Sequence, residues 1–135
     1  MGAMIEPQWI ASATVLEIHD LQLAAHGGLA GIRDSGLLSS ALHRPVNLWT
    51  YARDAADLAA LAAAYATGIA RNHPFLDGTK RTAAVVCELF IKLNGMELVA
   101  SDEHWYETMI RLASGQWNEE ELAEWIRGNL GPKTT

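Results

Sequence analysis

The chain has 135 residues, half of them hydrophobic and 19% charged, which suits one domain around one core and excludes a disordered chain. A formal charge of -6, with no block of lysine and arginine, argues against direct nucleic-acid binding through phosphate contacts. The lone Cys87 excludes an intramolecular disulfide, and no apolar run approaches the roughly 20 residues of a membrane span.

Met1-Gly2-Ala3, ahead of Met4, reads as an expression scar, and no signal-peptide pattern follows, so a cytoplasmic protein is expected. The first helix is predicted over 12–26, with Val15, Ile18, Leu21 and Leu23 as its apolar stripe and Gly27-Gly28 as its stop. A short second helix follows the N-cap Asp34 and ends near His43, ahead of Pro45, leaving 44–53 as an irregular connection. A third spans 54–72 and a fourth 80–94, both apolar on most faces and therefore buried by several neighbours. Ser101 caps a fifth helix that ends at Ala113. Asn118 and Glu121 stand at capping-box spacing at the start of a sixth, which reaches Arg127. The tail 131–135 is expected to be flexible. The expected fold is one all-α domain over 1–135, a bundle of about six helices with little strand signal.

Between the third and fourth helices lies His73-Pro74-Phe75-Leu76-Asp77-Gly78-Thr79-Lys80-Arg81. A loop leaves one buried helix and enters the positive start of another, where unpaired backbone N–H groups attract an anion. Gly78 allows close backbone approach, while Arg81 and Lys80 add positive charge. Asp77 is suited to a divalent cation that bridges phosphates, and His73 to a general base near neutral pH. Phe75 is expected to point into the core and fix the loop. The bland alternative is a His-Pro turn with Asp77 as a cap and Lys80 and Arg81 in solvent; the concentration of polar roles in one short segment favours function. Elsewhere, Gly28-x-x-Gly31 reads as a turn, Arg33-Asp34 as a structural pair, and His19, His26, His43 and His104 as surface or core residues. Trp105, Trp117 and Trp125 read as core, or else as a groove for a protein partner.

The segment resembles the Fic signature His-x-Phe-x-(Asp/Glu)-Gly-Asn-Gly-Arg, and more closely its death-on-curing (Doc) variant, which ends Asn-Lys-Arg. His73, Phe75, Asp77, Gly78, Lys80 and Arg81 match that variant, and Ala84 stands where Fic enzymes carry a second arginine. The stretch from Gly27 to Leu38, with Ala41-Leu42 and Arg44-Pro45, is similar to the family's amino-terminal half, so the likeness covers 18–98. Thr79 departs from it, replacing a phosphate-contacting asparagine by a shorter side chain without an amide donor.

The resemblance implies the Fic/Doc helical fold and a toxin of a type II toxin–antitoxin pair. It implies ATP and Mg2+ as cofactors, with His73, Asp77 and Arg81 catalytic, Asp77 on the metal, and Gly78, Thr79, Lys80 and Arg81 on the phosphates. It also implies phosphate transfer to a hydroxyl of an elongation factor Tu-like protein, arresting translation, and a Phd-like antitoxin that folds on binding. In Fic enzymes a flap ahead of the motif pairs with the target as an added strand, and 44–53 with Trp49 and Tyr51 holds the corresponding place. AMP transfer to another protein, and a degenerate antitoxin-binding module that lost catalysis through Thr79, are the alternatives.

Overall fold

Alanine spacing decides how this chain packs. The computed structural model describes residues 5–134; the expression-scar reading of Met1-Gly2-Ala3 lies outside them. Helix α3 (Leu58–Asn72) is buried on every face from Leu61 to Ala70, because alanines let neighbours approach all round it. It packs on α2 (Ser35–Tyr51), α4 (Thr79–Leu93), α5 (Asp102–Ala113) and α6 (Glu119–Gly128), while α1 (Ser12–His26) lies on α4. Tyr65, Ile69, Phe75, Phe90 and Ile91 are among the fully buried side chains at the centre. Cys87 is buried there too, and burial pushes its thiol far above the ordinary range. The result is the expected all-α bundle, with six α-helices among the described residues.

Local signals hold where they are strongest. Ser101 accepts from the His104 amide to cap α5, and Asn118 and Glu121 form both bonds of a capping box on α6. Asp57 accepts from the Ala60 amide and starts α3 at Leu58, a few residues later than expected; a short 3-10 turn, Arg53–Ala55, precedes it.

The second helix departs from expectation. It runs through Pro45 to Tyr51, so 44–51 is helical and not an irregular connection. Leu38, Ala41, Pro45 and Trp49 recur at helical spacing on its buried face, and that continuous stripe against α3 outweighs the amide bond that proline removes. The expected flap therefore offers no strand edge among the described residues; Trp49 is buried and Tyr51 is exposed.

Two further expectations change. In α1, Leu21 is exposed, and His19 joins Val15 and Ile18 on the buried face. The supposed flexible tail begins as a strand: β2 (Leu130–Pro132) pairs antiparallel with β1 (Met96–Leu98), with Glu97 opposite Gly131.

Candidate active site

His73 ends α3 in the left-handed conformation, with φ 50°, the single non-glycine residue of positive φ among the described residues. Histidine tolerates that region better than most residues, and a left-handed cap is a common way to end a helix. Arg33 holds the turn, donating from Nε to the His73 carbonyl (2.8 Å) and from a terminal nitrogen to the Asn72 carbonyl (2.9 Å). It makes no pair with Asp34, which instead accepts from the Leu37 amide and caps α2. The Arg33–Asp34 pairing read from the sequence is thus corrected: the guanidinium reaches unpaired carbonyls at the end of α3, a partner distant in sequence.

After His73 the loop is laced to the glycine-rich segment before α2. The Arg33 amide donates to the Pro74 carbonyl, the Leu76 amide to the Gly31 carbonyl, and Ile32 bridges Phe75. Phe75 is fully buried and stacks on the His19 ring, 3.8 Å between centroids and 10° from parallel. His19 donates from Nε2 to the Asp77 carbonyl (2.7 Å), which fixes the tautomer to one carrying that proton. Asp77 Oδ2 accepts from the Leu29 amide (2.7 Å). A Cβ at Gly28 would sit 3.0 Å from the Asp77 Cβ, so glycine there permits the approach.

Gly78, at φ 79°, turns the chain into α4. The Thr82 amide is the first in that helix to find an acceptor, the Gly78 carbonyl (3.0 Å). The amides of Thr79, Lys80 and Arg81 precede it with no acceptor among the described residues, as at any helix start. The Thr79 side chain is only 2% exposed, and its hydroxyl lies 3.5 Å from the Phe75 carbonyl. Whatever Thr79 offers a ligand therefore comes from its main chain.

His73, Leu76, Asp77, Gly78, Thr79, Lys80, Arg81 and Tyr106 line one cleft of about 400 Å3. All six site residues named from the sequence thus meet at one place. With Oδ2 engaged by Leu29, Asp77 keeps Oδ1 for a cation, and no cage of three or more His, Cys, Asp or Glu side chains gathers among the described residues. That set fits Mg2+ held jointly by one carboxylate, water and ligand phosphates, and does not fit a protein-only metal cage.

Sequence reasoning missed three supporting residues. His19 was hidden because a lone histidine in an amphipathic helix carries no motif, although it continues the period of Val15 and Ile18. Arg33 and Tyr106 reach the loop only through the tertiary fold. The tryptophans divide: Trp105 is buried and stacks on Trp125 (5.6 Å), while Trp117 lies under the Arg111 guanidinium.

An all-helical bundle whose histidine-led loop opens directly into a cationic helix start defines a Fic-type scaffold. The Fic/DOC family model matches residues 9–91, and the chain belongs to that family. It is 29% identical over 122 residues to "Protein kinase doc" of Escherichia phage P1, covering 90% of this chain and 95% of that protein. It is 43% identical over 77 residues to "Toxin Doc" of Mycolicibacterium smegmatis, covering 56% of this chain and 58% of that protein. No helix among the described residues is long and apolar enough to cross a membrane.

Proposed function

We propose that this protein is a toxin that transfers the terminal phosphate of ATP to a hydroxyl of a translation factor of the elongation factor Tu kind, restrained by a Phd-like antitoxin. The observation that carries the reading is the single cleft shared by His73, Asp77, Lys80, Arg81 and the start of α4. The names of the two relatives, one a protein kinase and the other a toxin, point the same way.

His73 accepts the proton of the target hydroxyl. The oxygen attacks the terminal phosphorus, the bond to the bridging oxygen breaks, and ADP leaves with the displaced electron pair. The amides of Thr79, Lys80 and Arg81, with the two cationic side chains, hold the phosphate oxygens and meet the charge that spreads over them. Asp77, steadied by Leu29 and by the His19 bond to its carbonyl, would hold Mg2+. When bound, that ion would supply positive charge that neutralises part of the charge on the ligand phosphates. Lys80, and Ala84 in place of an arginine, favour this orientation over AMP transfer.

The test is mass spectrometry of elongation factor Tu after incubation with the protein and ATP labelled on the terminal or the alpha phosphate. Transfer of the terminal label, abolished in His73→Ala, is expected. Transfer of the alpha label alone refutes the kinase orientation. Induced expression without antitoxin should also arrest growth, and equal growth of wild type and His73→Ala would favour a binding module.

A further inference from the structure

A single residue holds three successive carbonyls at the end of α3. The Arg33 amide donates to the Pro74 carbonyl (2.6 Å), its Nε to the His73 carbonyl (2.8 Å) and a terminal nitrogen to the Asn72 carbonyl (2.9 Å). Its neighbours reinforce the clamp. The Asp34 amide also donates to the Pro74 carbonyl, and Asn72 Nδ2 donates back to the Leu37 carbonyl (2.9 Å).

His73 sits in the middle of that grip. Its amide donates to the Ile69 carbonyl (3.1 Å) and its carbonyl accepts from Arg33, so the peptide groups on both sides of its Cα are fixed. A φ of 50° costs a non-glycine residue free energy, which the surroundings must offset. With the backbone held there, the Cα–Cβ direction is set, and the residue lines the cleft. Arg33 is not part of that lining, and it has no carboxylate partner among the described residues. Its guanidinium is engaged by two adjacent main-chain carbonyls, which a rigid planar fork of donors can satisfy together.

We infer that Arg33 is a positioning residue of the transfer reaction: by holding His73 in the left-handed turn it aims the general base at the reacting hydroxyl, without touching substrate. The inference rests on the proton-accepting role proposed above for His73, and the experiment separates the two.

Transfer of the labelled terminal phosphate from ATP to elongation factor Tu is compared for wild type, Arg33→Met and Arg33→Lys. A misaimed base is a loss confined to the transition state. In Arg33→Met, kcat should therefore fall roughly tenfold to a hundredfold, while KM for ATP and for the protein stays within about twofold. Lysine keeps the charge without the fork, so kcat of Arg33→Lys should stay within about threefold of Arg33→Met. Nuclear magnetic resonance gives a readout free of activity. The three-bond coupling between the His73 amide and α protons follows φ and should change in Arg33→Met. Calorimetric tripolyphosphate affinity should stay within about twofold of wild type, which reports an intact phosphate cradle. Arg33 is exposed, so both variants should fold. Unchanged kcat, recovery in Arg33→Lys, or a raised KM with kcat intact would each overturn the inference, the last two marking a cationic contact with substrate. Loss of tripolyphosphate binding alongside kcat would show a collapsed loop and overturn it too. Should wild type transfer no phosphate, the kinase reading falls and the coupling decides: a change in Arg33→Met upholds the grip on His73, and an unchanged value overturns it.

Discussion

Removing the His19 ring tests whether the catalytic loop is held from beneath. His19 is 3% exposed, stacks on Phe75 and donates to the Asp77 carbonyl at 2.7 Å. In His19→Ala the lost bond and the orphaned carbonyl together cost about 1–2 kcal/mol. The lost ring stack adds about 1 kcal/mol, and the cavity left behind brings the expected loss to about 3 kcal/mol. For a chain of this length that corresponds to a fall in Tm of about 12 °C, at about 4 °C per kcal/mol. His19→Gln keeps a donor of similar reach and should recover about 1 kcal/mol. Urea unfolding followed by circular dichroism reads both, and ATP titration of the still-folded variant should show weaker binding, because the turn at Asp77 and Gly78 is released. A loss under about 1 kcal/mol in His19→Ala would refute the reasoning, since neither stack nor hydrogen bond would then be supporting the loop.

Three other outcomes follow from the same contacts. Thr79→Val keeps the buried shape and drops the hydroxyl, so tripolyphosphate affinity by calorimetry should stay within about twofold of wild type; a tenfold loss would show that the side chain reaches the ligand. Tyr65 accepts from the Ile10 amide at 2.9 Å in the core, and Tyr65→Phe, which leaves that amide without its acceptor, should cost about 1–2 kcal/mol in urea unfolding. Asp57 meets Arg127 through two bonds, of 2.7 and 3.0 Å, and the guanidinium holds its carboxyl below the ordinary 3.8. A depressed carboxylate stabilises the fold above its unfolded value and loses that contribution as pH falls through the folded one. Wild type should therefore exceed Arg127→Met by at most about 1 kcal/mol near neutral pH, both groups being part-exposed. The difference should shrink as pH falls below the ordinary 3.8 and through the lowered folded value, as read from urea midpoints.

The sequence by itself determined whatever is encoded within a turn or two of chain. The caps at Ser101 and Asn118, the stop at Gly27, the alanine-rich α3 and the segment from His73 to Arg81 were all legible, because helix ends and a loop running into a helix start are set by neighbouring residues. Tertiary structure alone decided the rest. Whether Pro45 ends a helix depended on the stripe from Leu38 to Trp49 finding α3, and whether the last residues form a strand depended on β1 being within reach. His19 under Phe75, Arg33 on the end of α3 and Tyr106 in the cleft act on partners far along the chain. Such pairings leave no local period or spacing to read, since their free energy is realised only when the fold brings the partners together.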